Sequence, residues 1–103
     1  MAVAILQAMF KPNPGADLMA LNELTKESAV IWRRHGATVN LWAVQIGEIG
    51  NMVFTIRCDS SAKLGEAIEA VNNDPAQAIW RAKVLKAGLA SWVRSNHVCE
   101  IPI

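Results

Sequence analysis

The chain has 103 residues, 52% of them hydrophobic and 18% charged, with a formal net charge of +1. That length supplies one domain, residues 1–103, and excludes a second core. The longest basic run is the pair Arg33-Arg34, which argues against a nucleic-acid face or an anionic membrane surface, and no apolar stretch reaches bilayer length.

Residues 2–10, AVAILQAMF, form a near-continuous apolar run and read as a strand buried on both faces. Pro12 and Pro14 are expected to stop it, with Asn13-Pro14 opening a helix as cap and first position. From about 15 to 35 the period changes to three and four, bringing Leu18, Leu21, Leu24, Ser28, Ile31, Trp32 and His35 onto one helical face. Gly36 is placed to end that helix. Residues 37–46 read as a second strand, Gly47 to Asn51 as a hairpin connection, and 52–58 as a third strand. A helix follows Asp59-Ser60-Ser61, either serine serving as its cap, with Leu64, Ala67, Ile68 and Val71 inward. It breaks at Asn72-Asn73. Asp74-Pro75-Ala76-Gln77 then opens another helix with the pattern of a capping box. That helix is expected to carry Ile79, Trp80, Val84, Ala87 and Trp92 and to end near Asn96, leaving His97 to Ile101 as the last strand.

Strand, helix, hairpin, broken helix and strand make two split β-α-β units, so the expected fold class is α+β, ferredoxin-like β-α-β-β-α-β. Its four-stranded antiparallel sheet has order 4-1-3-2, with the helices on one face. In that order strands three and four flank strand one. Cys58 and Cys99 then lie about 9.6 Å apart, beyond disulfide reach, and are expected to be free thiols. Free thiols and the lack of a basic segment before the first apolar run suggest a cytoplasmic setting.

His35-Gly36-Ala37, the Gly47 to Gly50 hairpin, Ser60-Ser61-Ala62 and the break at Asn73-Asp74-Pro75 resemble the dimeric α+β barrel superfamily. The similarity is greatest to its NIPSNAP-like and antibiotic-biosynthesis-monooxygenase-like branch. The resemblance implies that two sheets pack face to face and enclose a barrel interior that holds a ligand pocket. It also implies chemistry without a cofactor. Haem-degrading members use an Asn, a Trp and a helical His; the late helices here contain no histidine, so that chemistry does not carry over. Alternation along the strands points independently to a homodimer. Val3, Ile5, Gln7 and Met9 oppose Ala4, Leu6, Ala8 and Phe10, while Val53, Thr55 and Arg57 oppose Met52, Phe54, Ile56 and Cys58. Both faces are largely apolar, whereas a sheet with one wet face alternates cleanly.

The partner-facing side is expected to present Gln7, Asn40, Trp42, Thr55, Arg57 and Glu100 as candidate ligand-binding residues. Trp42 offers a flat apolar wall and Arg57 a guanidinium for a carboxylate or enolate oxygen. The competing reading makes Arg57 and Glu100 an inter-subunit salt bridge and Trp42 interface packing. His35, a cation at a helix C-terminus, needs no catalytic explanation. His97 and Cys99 share a strand face, but no further ligand or orienting group is visible, so neither a metal nor a nucleophile is assigned there.

Three functions compete. The first is a small-molecule binder, or a cofactor-free enzyme of monooxygenase or isomerase type, acting on a small aromatic or acidic compound. The second is a structural or regulatory dimerisation module with a solidly packed interior. An RNA-recognition module is set aside, because strand one offers no central aromatic for base stacking and net charge is near zero.

Overall fold

A computed structural model describes residues 2–103. The elements run β1 (Ala4–Pro12), α1 (Leu18–Arg34), β2 (Thr38–Ala43), β3 (Met52–Cys58), α2 (Ser61–Asn72), α3 (Pro75–Ala87) and β4 (Ala90–Cys99). The sheet order is β2-β3-β1-β4 with every pairing antiparallel, which is the expected ferredoxin-like arrangement.

The helices cover one face. Ala4, Val39, Phe54, Ile56 and Cys58 from the sheet meet Ala29, Ile31 and Trp32 of α1 and Leu64, Ala67 and Val71 of α2. Leu6, Ala8, Phe10 and Ile68 pack around this centre. Leu64 and Val71 are wholly buried, each stabilising the fold by about 1.5–3 kcal/mol. Three residues expected inward turn out: Leu18, in the first turn of α1, is 59% exposed, Ile79 of α3 62% and Trp92 70%.

The helix caps explain the boundaries. The α1 cap is Asp17, not Asn13; its Oδ1 accepts from the N–H groups of Met19 at 3.0 Å and Ala20 at 3.2 Å. Asn13 has another task. Its N–H donates to Leu89 O, its Nδ2 donates to Gly88 O, and its Oδ1 accepts from Ser91 Oγ. β1 therefore continues through Pro12 and is stapled to the turn before β4. Ser60, rather than Ser61, caps α2 by accepting from Lys63 N. Asp74 caps α3 through Ala76 N at 2.9 Å. The reciprocal half of the expected capping box is missing, because the N–H of Asp74 donates to Val71 O and Gln77 Oε1 is buried without a protein partner.

The main correction is at the end of α3. Gly88, at φ +59, ends that helix after Ala87. β4 begins at Ala90, so Trp92 is a strand residue and not a helical one. A bulge at Val93 sets two β4 residues against one step of β1, as Met9 pairs with Arg94 and Phe10 with Trp92.

Candidate functional site

Register decides what the uncovered face presents, since residues paired across strands share a face. Asn40 pairs with Thr55, Thr55 with Gln7, and Gln7 with Asn96. These four form one polar rung across all four strands. On one side runs Trp42, Val53, Met9 and Arg94; on the other Thr38, Arg57, Ile5 and Val98. Three of the four, Asn40, Thr55 and Gln7, line a shallow depression of about 810 Å³. All six residues named from the sequence border it. Gln7 is on β1, Asn40 and Trp42 on β2, Thr55 and Arg57 on β3, and Glu100 just beyond β4. Glu100 is held there by its N–H, which donates to Val3 O at 2.8 Å.

Trp42 is 55% exposed and lies diagonally over the rung. Its Nε1 donates to Thr55 Oγ1 at 2.8 Å, and that hydroxyl donates in turn to Asn40 O at 3.3 Å. The indole is thus oriented by a neighbour two positions along the adjacent strand.

Two arginines share this face and differ in partnership. Arg94 pairs with Glu48 of the β2–β3 connection, and this hydrogen bond and charge hold the Glu48 carboxyl below its usual range. Asn51 Nδ2 donates to the other Glu48 oxygen at 3.1 Å. Arg57 is exposed, and among the described residues no carboxylate lies within 4.0 Å of its guanidinium. Asn96, the fourth member of the rung, was missed from the sequence because the helical reading extended over β4.

A second cavity, of about 230 Å³, lies on the helix side and is almost wholly apolar. Phe10, Leu24, Trp80, Val84, Leu89 and Trp92 enclose it. Trp80 is fixed by its Nε1, which donates to Leu24 O at 2.7 Å. The sequence signal for this cleft was Gly88: read as a helix stop, it turns Trp92 over onto the sheet.

His35 has a structural partner. Its Nε2 is 2.8 Å from Asp74 Oδ2, and Arg34 approaches the same oxygen at 3.3 Å. The His35 hydrogen bond, the Ala76 N–H and the Arg34 charge hold the Asp74 carboxyl below its ordinary value. Two of the four segments that carried the sequence resemblance, His35-Gly36-Ala37 and Asn73-Asp74-Pro75, therefore meet in one contact that ties α1 to the α2–α3 break. Cys58 and Cys99 are both free and both paired with Ala4, on opposite edges of β1, which puts them two strand spacings apart. Among the described residues no three His, Cys, Asp or Glu side chains group to hold a metal ion. Among the described residues no helix is long and apolar enough to cross a membrane.

The sequence matches no protein-family model and no curated protein. Solved structures do match. A NIPSNAP-domain protein from Burkholderia xenovorans, itself uncharacterised, superposes with TM-score 0.71 at 16% identity, over 100% of this chain and 95% of that one. A NIPSNAP-family protein of unknown function from Agrobacterium tumefaciens gives 0.69 at 18% identity, over 97% and 87%. An antibiotic-biosynthesis-monooxygenase-like protein from Chloroflexus aurantiacus gives 0.64 at 14% identity, over 97% and 94%. The likeness is one of fold. These are the kinds of protein toward which the sequence resemblance pointed, and they span this chain from end to end.

Proposed function

We propose that this chain works as a homodimer whose open sheet faces meet, and that the space between them binds a small, partly aromatic acid. The observation that carries this reading is Arg57, an exposed guanidinium that, among the described residues, has no carboxylate partner, whereas Arg94 on the same face is paired with Glu48. A carboxylate would take a charge-assisted, two-pronged pair from Arg57. The Trp42 indole would form the wall beside it, with the amides of Gln7, Asn40 and Asn96 supplying further donors. Glu100, at the rim, would pair with Arg57 across the subunits when no ligand is bound. The enzymatic form of the reading is a cofactor-free, monooxygenase- or isomerase-like conversion in the same chamber, and free thiols fit a reducing, cytoplasmic setting.

A dimer is favoured by the uncovered face itself. Val3, Ile5, Val53 and Val98 line it, and a patch of that kind on a small chain is an interaction surface by default. Light scattering at micromolar concentration should give twice the chain mass; a monomer would sink the shared chamber. Titrating tryptophan fluorescence with aromatic carboxylates should then give saturable quenching in wild type that Trp42→Phe abolishes. Arg57→Gln should weaken binding about tenfold or more, since a hydrogen bond to a charged group is worth about 1.5–3 kcal/mol. A dimer that no carboxylate perturbs favours the packed, non-catalytic module instead.

The helix-side cleft supports a second reading. Its enclosure by Trp80, Trp92 and Phe10 suits a neutral apolar ligand, and it needs no second subunit. Trp92→Phe separates the two, because only a cleft ligand would lose its quenching signal there.

A further inference from the structure

β4 is an edge strand at the rim of the helix layer, and its helix-side residues Ser95, His97 and Cys99 are exposed. At the Ala4 end this bare strip meets the start of α2. Ser61 Oγ lies 2.9 Å from Cys99 Sγ and 3.5 Å from His97 Nε2, and Cys99 Sγ is 3.8 Å from the same imidazole nitrogen. Ser61 supplies the third, orienting group that the sequence did not reveal. These side chains are in water and need no partners to satisfy burial, yet a thiol, an imidazole and a hydroxyl converge. The Cys99 side chain points to the side of the sheet opposite the face proposed for dimerisation, although the residue also borders the depression there.

We propose that Cys99, with His97 as its base, is a peroxide-sensitive thiol that ends as a mixed disulfide with a small cellular thiol. The Cys99 proton passes to His97 Nε2, and the thiolate attacks one oxygen of a hydroperoxide. An S–O bond forms, the O–O bond breaks, and the departing alkoxide takes the proton from His97 to leave as an alcohol, or as water from hydrogen peroxide. Sulfur gives up two electrons and the peroxide gains them. A small thiol then attacks the sulfenic sulfur, forming the S–S bond and releasing water; a second equivalent restores Cys99 by exchange. The one other cysteine does not compete for this step. Cys58 is buried about 9.6 Å away across β1, outside disulfide reach. Burial and the neighbouring Asp59 charge also push its thiol up, keeping it protonated.

The test is hydrogen peroxide with dimedone, read by intact mass and by peptide mapping of the wild-type chain. One adduct is expected, on Cys99, in wild type and Cys58→Ser, and none in Cys99→Ser. Peroxide with glutathione should add one glutathione per chain at the same residue. His97→Gln should slow the reaction at neutral pH about tenfold, because an unassisted thiol is only a few per cent thiolate there. His97 and Cys99 are both exposed, and circular dichroism would verify that the variants keep the fold. An adduct on Cys58, or a His97→Gln rate equal to wild type, would overturn the proposal.

Discussion

The two faces of the sheet are made by the same strands and differ in what they can tolerate. Under the helices, Ala4, Leu6, Ala8, Phe10, Phe54, Ile56 and Cys58 present no charge and almost no polar atom. On the open face a polar rung lies between two largely apolar ones, each of which carries one arginine. The first pattern suits a dry core, apart from the apolar cleft that Ala8, Phe10 and Phe54 border. The second mixes apolar and polar groups, and it is this mixture that the proposed homodimer would have to accommodate between its subunits.

Mutations can break this comparison, and the largest effect belongs to the covered face. Leu64→Ala should cost about 3 kcal/mol, a large share of a small domain's stability, measured by urea unfolding. Val53→Lys, at the centre of the open face, should halve the mass by light scattering while leaving the far-ultraviolet dichroism unchanged. Loss of secondary structure in that variant would mean that both faces are needed to hold the chain together. Asp74→Asn keeps a capping side chain but removes the charge that His35 and Arg34 meet, and should lower Tm by roughly 5 °C. The Asp74 carboxyl is held below its ordinary value of 3.8 in the folded state, so its charge stabilises at neutral pH. That advantage is present above the unfolded value and is lost as pH falls through the folded one; the two Tm curves should converge only in acid. Trp42→Phe should have the smallest effect, about 1 kcal/mol or less, because the Thr55 hydrogen bond it removes is exposed.

Much of the fold was legible because period and breakers agree. The strand β1 and helix α2 patterns each point one set of residues inward, and the structure buries Ala4, Leu64, Ala67 and Val71 as read. β4 was not legible over Ala90 to Asn96. Its side chains are mostly exposed on both faces, so it lacks the apolar alternation that marks a strand, and hydrogen bonds to β1 supply what the pattern does not. The Asp17 cap was missed because Asn13 has the right chemistry for a cap but is engaged 75 residues away by Gly88. For the open face, alternation sufficed to choose Gln7, Asn40, Trp42, Thr55, Arg57 and Glu100. The rung that aligns Asn40, Thr55, Gln7 and Asn96 depends on register, which one strand does not encode alone. Nor does spacing distinguish Arg57 from Arg94. That contrast rests on Glu48, which reaches Arg94 from another part of the chain.

The staple at Asn13 also bears on how the chain is made. β1 lies inside the sheet, but one of its neighbours is β4, from which five other elements separate it along the chain. Pairing with β3 is possible once residues as far as Cys58 have emerged; the edge that faces β4 must wait. During that interval β1 exposes an unpaired, apolar edge capable of joining another nascent copy. Only when Leu89 and Ser91 reach Asn13 is that edge sealed, so the rate of this final long-range closure sets the window in which the chain is open to misassembly.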